Sequence, residues 1–503
     1  MTIKIAIIGA GSIGFTRRLM RDILSVPELI DSEFSFHDIN KENLEMIAQL
    51  ARRDIRANKL PAKLSTTTNR LRALEGADYV LNTTRIGGLD AFSLDVDIPL
   101  KYGVDQCVGD TLCAGGIMYG QRNIPQILAF CDDIRATSSS DVLFMNYANP
   151  MAMNTWAALE YGQINTVGLC HGVQGGHAQI CEVIELLINK GIKSDSKRYK
   201  KVSKNDVDIT ASGINHQTWY VRVQYEGEDW TDRLLEAFKL HPTFNLTEKV
   251  RIDMLSRFGF YSTESNGHLS EYVPWYRKRV KEIRNWISLD RWIHGETGGY
   301  LRVCTEGRNW FKTDFPNWMK ADPPVFTPET RSEEHGSWII EALETGRNYR
   351  GHFNVRNNGV IPNLPAEAIV EVPGYVDRNG INIPQLDALP RGCAAVCNQS
   401  ISVQGLATEA AVHGDIESLR QAFMMDPLVG AVCNPPEIWQ MVDEMLIAQA
   451  KWLPQYKAEI RRAKKRFSSQ KRLGLKKTSG AARLKTKSIV QMRKTAKLNK
   501  QEK

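Results

Sequence analysis

Fifteen residues at the start of the chain, Met1-Thr-Ile-Lys-Ile-Ala-Ile-Ile-Gly-Ala-Gly-Ser-Ile-Gly-Phe15, join an apolar β-branched run to a G-x-G-x-x-G triplet. Lys4 to Ile8 predicts a buried strand, and Phe15 to Val26 predicts a helix. A strand forced through glycines into a helix fits few arrangements. In one of them the first glycine makes the turn, the second lets backbone approach a pyrophosphate, and the third packs helix on strand. The amides of the helix N-terminus then face the phosphates. A turn with no ligand has the same spacing, but its position between strand and helix favours a dinucleotide. Gly9, Gly11, Ser12 and Gly14 are the expected contacts.

A second expected strand, Glu33-Phe-Ser-Phe-His-Asp38, ends in an acid. A carboxylate there suits the two hydroxyls of an adenosine ribose, which favours NAD over NADP. The alternative is an aspartate that caps a helix beginning near Lys41.

Strands and helices alternate up to about residue 175. Further strands are expected at Ala77–Thr84, Asp141–Tyr147 and Thr166–Cys170, and helices at Lys41–Lys59, Ala114–Thr137 and Gly175–Gly191. The alternation predicts a parallel, Rossmann-type sheet over 1–198. Ligands of such sheets lie outside the carboxyl ends of the strands. Asn82, Asn149 and Cys170 fall at or just past such ends, and Asn82 is a further expected cofactor contact. From about Asp206 the pattern changes. Val207 to Tyr225 alternates like antiparallel strands, with helical patterns at 246–258 and 335–345. Strand-like pieces follow at 352–361 and 367–376, and helices from Ser402 to Leu453. This predicts an α+β domain over 199–460.

Charge separates the remainder. Residues 461–503 carry 17 Lys and Arg against one acid, Glu502, so the chain's net +8 leaves the first 460 residues at −8. A basic stretch with one aromatic, Phe467, predicts a solvated, disordered tail, and a nucleic-acid role is disfavoured except through it. No apolar run reaches 18 residues, so no membrane span is expected. The chain opens on a core strand without a signal-peptide pattern. Its nine cysteines are dispersed, which fits reduced thiols in a cytoplasm. Cys393 and Cys397 lack a second pair for zinc.

Cys170 and His216 are the candidates for chemistry beside the dinucleotide. A cysteine at a strand end there could be a metal ligand or a nucleophile, and alone it reads as a small buried hydrophobe. Spacing by itself gives a Cys170–His216 metal site no support.

Longer motifs then enter. Met145-Asn-Tyr-Ala-Asn-Pro-Met-Ala-Met-Asn-Thr-Trp156, Val167-Gly-Leu-Cys-His-Gly-Val-Gln-Gly175, Gly213-Ile-Asn-His216, Asp110-Thr-Leu-Cys-Ala-Gly-Gly-Ile117 and Asn354-Val-Arg-Asn-Asn-Gly359 occur in this order along the chain, apart from the fourth, which precedes the others. The chain from Lys4 to about Trp452 resembles glycoside hydrolase family 4, and its Cys-His pair resembles the α-galactosidase branch. The resemblance implies a fold related to lactate and malate dehydrogenases, NAD, and a divalent metal, usually manganese. It implies a metal at Cys170 and His216, substrate contacts at Asn149 and Asp110, and His171 as a candidate general acid. The family mechanism is an exception to two-carboxylate hydrolysis. A hydride leaves C3 of the sugar, the C2 proton is lost to a base, the glycosidic oxygen departs, water adds, and the hydride returns. Aligned with other branches, Glu264 and His268 are the candidate bases. Gly172 stands where many α-galactosidases carry serine, which leaves the sugar open. The Cys-His pair argues against 6-phospho substrates.

The expected activity is therefore an α-glycosidase, with α-galactoside as the leading substrate and α-glucoside or α-uronide as alternatives. A homodimer or homotetramer is expected. An NAD-dependent dehydrogenase of a hydroxy acid or polyol shares the fold and the glycines, but has no use for a metal thiolate.

Overall fold

The computed structural model describes residues 2–12, 14–476, 478–488 and 490–492, with backbone alone at 309–312. Ile13 and the final residues of the basic tail lie outside the described residues. Among the described residues thirteen strands form one sheet. Its N-terminal part comprises β1 (Lys4–Ile8), β2 (Glu33–His37), β3 (Lys63–Thr67), β4 (Tyr79–Asn82), β5 (Leu143–Asn146) and β6 (Thr166–Gly168). These are parallel in the order β3-β2-β1-β4-β5-β6, the doubly wound arrangement of dinucleotide-binding folds. The buried runs of β1 and β4 carry no polar alternation because helices cover both faces. On one face lie α1 (Phe15–Leu24) and α2 (Lys41–Ala57); on the other lie α3 (Arg70–Leu74) and α5 (Cys113–Thr137).

The remaining strands are antiparallel and extend the same sheet. They are β7 (Val207–Ile214), β8 (Gln217–Tyr225), β9 (Glu228–Asp229), β10 (Tyr261–Ser262), β11 (Tyr349–Arg356), β12 (Ile369–Asp377) and β13 (Gly380–Asn382). The two halves meet at one row, in which Gly168 pairs with Asn354, Asn354 with Glu371, and Glu371 with Gly213. Cys170 and His216 follow this row by two and three residues. The N-terminal Rossmann-type sheet with an α+β C-terminal part is as expected.

Several local expectations are corrected. The helix expected from Gly175 is α7 (Gly172–Ile188), so it begins directly after His171. The pattern at 246–258 is broken into Phe244–Thr247 and Lys249–Phe258. α4 (Gly88–Lys101) and the helix Gly299–Lys320 were not foreseen, and β3 is an edge strand with little burial. α6 (Met151–Glu160) follows β5 directly. Among the described residues no helix is long and apolar enough to cross a membrane.

The largest correction concerns the tail. Residues Lys457–Ser469 form a helix whose Arg466 pairs with Asp443 at 2.8 Å. Beyond it, residues 471–476 and 478–488 run across the body, and Ala482 is completely buried. The cations that looked like a solvated run find partners among the carboxylates of the acidic body: Arg472 with Glu444 at 2.8 Å and Arg483 with Asp97 at 2.6 Å.

Candidate active site

The glycine turn connects β1 to α1 as expected. Gly9 holds a left-handed φ of +85°, and a Cβ there would meet Thr83 and Thr84 at 3.0 Å. Asp38 follows β2. Its Oδ2 accepts the Gly11 amide at 2.8 Å and its Oδ1 accepts the Asn40 amide at 2.7 Å. A Cβ on Gly11 would stand 2.7 Å from that Oδ2, so the turn and the acid at the end of β2 require one another. Gly14 differs from expectation: a Cβ there meets nothing within 4 Å. Its smallness therefore leaves space at the start of α1 instead of packing helix on strand. The Ser12 amide donates to the Gly9 carbonyl at 3.1 Å. Asn82 is fully buried; its amide donates to Asn146 at 2.9 Å, and its oxygen accepts from the Thr84 hydroxyl at 2.8 Å. It thus shapes the turn after β4 from below.

Cys170, after β6, and His216, between β7 and β8, are brought together although 46 positions apart. With Glu264 they place one ligand atom each within 4.8 Å of the other two. His216 Nε2 lies 3.3 Å from Glu264 Oε2, and His268 Nδ1 lies 3.3 Å from Glu264 Oε1. Both His216 (φ +64°) and Glu264 (φ +72°) occupy the left-handed region, a conformation costing about 1–3 kcal/mol per residue and tolerated where surroundings enforce it. The other ring nitrogen of His216 is fixed by Thr111 Oγ1 at 3.0 Å, with the Tyr272 hydroxyl at 3.4 Å. Its Nε2 is thereby left to the cluster.

Burial pushes the His216 imidazole down, with the adjacent His268 in the same direction and the Glu264 carboxylate opposing them. Burial works against charge on Glu264, yet the two imidazoles, the Ser265 amide and Arg251 outweigh it and hold the carboxyl at about 2. Burial, Glu371 and Glu264 push the Cys170 thiol up, against the Gly172 amide and Asn215. A thiolate beside that carboxylate would concentrate negative charge in a partly buried cluster, a charge that a cation would balance. The donors are one sulfur, one imidazole nitrogen and one carboxylate oxygen. Such a mixed set fits a divalent transition ion better than the all-oxygen preference of calcium or magnesium.

Asp110 and Asn149 meet next to this cluster. Asn149 Nδ2 donates to Asp110 Oδ2 at 3.2 Å, and Arg85 pairs with the same oxygen at 3.1 Å. The Thr111 hydroxyl lies 3.1 Å from Asp110 Oδ1, so one chain of contacts links Arg85, Asp110, Thr111 and His216. The Arg85 guanidinium lies over the rings of Phe92 and Tyr119, 4.4 and 4.8 Å from their centroids. Its Nη1 has no hydrogen-bond partner among the described residues.

His171 turns elsewhere. Its Nε2 lies 2.6 Å from Glu334 Oε2, and its ring sits 6.0 Å from that of Phe15, just past the glycine turn. Burial pushes this imidazole down, but Glu334 outweighs burial and the net direction is upward. Glu334 was not singled out in the sequence, nor were Thr111, Glu271 and Glu371. Glu371 interrupts the apolar run Ile369-Val-Glu-Val372 of a buried strand, a signal that was available. It accepts Thr218 Oγ1 at 2.6 Å and Asn354 Nδ2 at 3.2 Å beneath Cys170.

Known proteins resemble the chain in sequence and in fold. Residues 4–186 match the family 4 glycosyl hydrolase profile, and residues 211–429 match the family 4 glycosyl hydrolase C-terminal domain. An α-galactosidase of Rhizobium meliloti (strain 1021) is 56% identical over 97% of this chain and 97% of its own. An α-galactosidase of Bacillus subtilis (strain 168) is 33% identical over 90% of this chain and all of its own. Among solved structures, a Thermotoga maritima 6-phospho-β-glucosidase with manganese, NAD+ and glucose-6-phosphate shares the fold at a TM-score of 0.70. It is 22% identical, covering 90% of this chain and 99% of that one. By its matched profiles and its relatives, the chain belongs to glycoside hydrolase family 4.

Proposed function

We propose that this glycosidase is an NAD- and divalent-metal-dependent α-galactosidase. The observation that carries the proposal is the convergence of Cys170, His216 and Glu264 in a chain whose glycine turn is closed by Asp38. The sugar is taken from the α-galactosidase relatives.

When bound, NAD would supply a hydride acceptor for the sugar's C3, and a manganese or similar ion would supply Lewis acidity to the hydroxyls beside C2. Cys170 and His216 would hold the ion, and Thr111 would keep His216 in the tautomer with Nε2 free. Gly9, Gly11, Ser12 and Gly14 would leave room for the pyrophosphate, with Asp38 at the ribose. Asn149 and Asp110 would orient sugar hydroxyls, and Arg85 adds an unpartnered donor beside them. Glu264 or His268 would take the C2 proton. The 3.3 Å contact between these two lets one hold the proton that the other receives. His171, whose imidazole Glu334 pushes up against burial, would give a proton to the leaving oxygen.

The test is hydrolysis of a panel of 4-nitrophenyl α-glycosides with and without NAD, Mn2+ and reductant. The expected result is preferred cleavage of the α-galactoside, dependent on both additions, without NADH accumulating. Steady NADH production matched to substrate consumed would instead establish a dehydrogenase.

A further inference from the structure

Residues 478–488 pass the loop that carries Asp110 and Thr111, touching it through Ala481, before Lys487 reaches Glu306. The strap leaves the helix Pro435–Ala448, where the Leu473 amide donates to Gln440 at 2.8 Å, and crosses the end of α4, where the Lys476 amide donates to the Lys101 carbonyl at 2.7 Å. It then inserts Ala482 between Ile283 and Ile287. Here it forms a small pairing with Thr297: the Thr297 amide donates to the Ala482 carbonyl, and the Ala482 amide to Thr297 Oγ1, each at 3.2 Å. The neighbouring Ala481 amide donates to Asp105 Oδ2 at 2.8 Å.

Asp105 begins the loop in question. Its other oxygen accepts from Arg277 and from Thr297 Oγ1, so strap, helix start and loop share one buried carboxylate. The next residue, Gln106, accepts the Gly298 amide on its carbonyl at 2.8 Å. The amides of Cys107, Val108 and Gly109 all donate to Glu271, which lies on the same short helix as His268. The loop then delivers Asp110 to Asn149, and Thr111 to His216.

We propose that residues 471–476 and 478–488 form a positioning strap for this site. Through Asp105 and Thr297 they fix the 105–111 loop, and through Thr111 they hold His216 in its ligating orientation. Asp105 is the positioning residue at the junction. Opposite charge on tail and body brings the strap to this face, and the backbone pairing at Ala481 and Ala482 sets its register.

The experiment uses the full-length protein and its variants Ala482→Glu, Arg483→Glu and Ala482→Ser. Ala482→Glu buries a carboxylate between two isoleucines beside Asp105, and Arg483→Glu reverses a surface pair. Amide hydrogen exchange is followed in peptides covering 478–488, 105–111 and the middle of α5, together with Mn2+ affinity and kinetics on 4-nitrophenyl α-galactoside. Exchange at 105–111 should rise at least tenfold in step with exchange at 478–488, while α5 stays unchanged. Mn2+ affinity should fall at least tenfold, excess Mn2+ should restore part of kcat/KM, and Ala482→Ser should behave as the wild type. Should Ala482→Glu fail to fold, the surface variant Arg483→Glu decides. The proposal is overturned if 478–488 exchanges at the unstructured rate in the wild type, or if either variant leaves 105–111 unchanged. The kinetic arm rests on the glycosidase reading and the exchange arm does not. Coupled exchange without hydrolysis of any glycoside would sink that reading and leave the strap intact.

Discussion

A Cβ built on Gly172 would stand 2.9 Å from Glu264 Oε2. The first residue of α7 is therefore matched to the carboxylate that meets His216 and Cys170: any larger side chain there must displace Glu264 or be displaced by it. Gly172→Ser should lower Mn2+ affinity at least tenfold, about 1.4 kcal/mol. Adding the shorter Glu264→Asp should recover part of the loss. Isothermal titration of the single and double variants measures both effects, and an unchanged affinity in Gly172→Ser would show that Glu264 is not held by this contact.

Thr111 holds His216 Nδ1 at 3.0 Å without itself reaching the cluster. Thr111→Val keeps the volume and removes the hydrogen bond. Outer partners of ligating histidines are typically worth about 10–100-fold in metal affinity. The variant should show a loss of that size with its circular dichroism unchanged. Retention of wild-type affinity would mean that Tyr272 alone fixes the ring.

Glu264 and His268 compete for one role. Turnover in heavy water should give a product sugar deuterated at C2 and unlabelled at C3, because the base exchanges its proton with solvent and the hydride does not. Hydrolysis by a carboxylate pair labels neither position. In Glu264→Gln and His268→Asn, the variant that loses C2 labelling while still reducing NAD identifies the base. Wild-type product without C2 deuterium, read by NMR, would count against elimination.

His352 lies buried on β11 with no partner for Nε2 among the described residues. Burial, with His335, Arg350 and His177 nearby, pushes its imidazole down to about 3. A histidine depressed in the folded state binds fewer protons there than in the unfolded chain. Its stabilising contribution is full above pH 6.5 and is lost as pH falls from 6.5 towards 3. His177, pushed down to about 4 mainly by burial, acts in the same direction. Urea midpoints should therefore drop between pH 6.5 and 4, and His352→Gln should flatten the drop. The same slope in the variant would assign the acid sensitivity to other groups.

By itself the sequence determined the parts that depend on neighbours along the chain. The β-branched run before Gly9 makes a buried strand and the glycines make its turn. The alternation of strand and helix patterns makes the parallel sheet. Family motifs named Cys170 and His216, which periodicity and spacing alone left unconnected. Tertiary structure decided the rest, because the remaining partners come from distant segments. Thr111, Tyr272 and Glu264 surround His216 only once the 105–111 loop and the helix Asn266–Tyr272 lie against the strand ends. Glu334 claims His171 from a segment 163 residues away. The tail shows the limit most clearly. A run of lysines and arginines with few apolar residues predicts a solvated extension, since local composition carries no record of an acidic surface elsewhere. Only the folded body supplies Asp97, Asp105 and Glu444 in the positions that give those residues a fixed path.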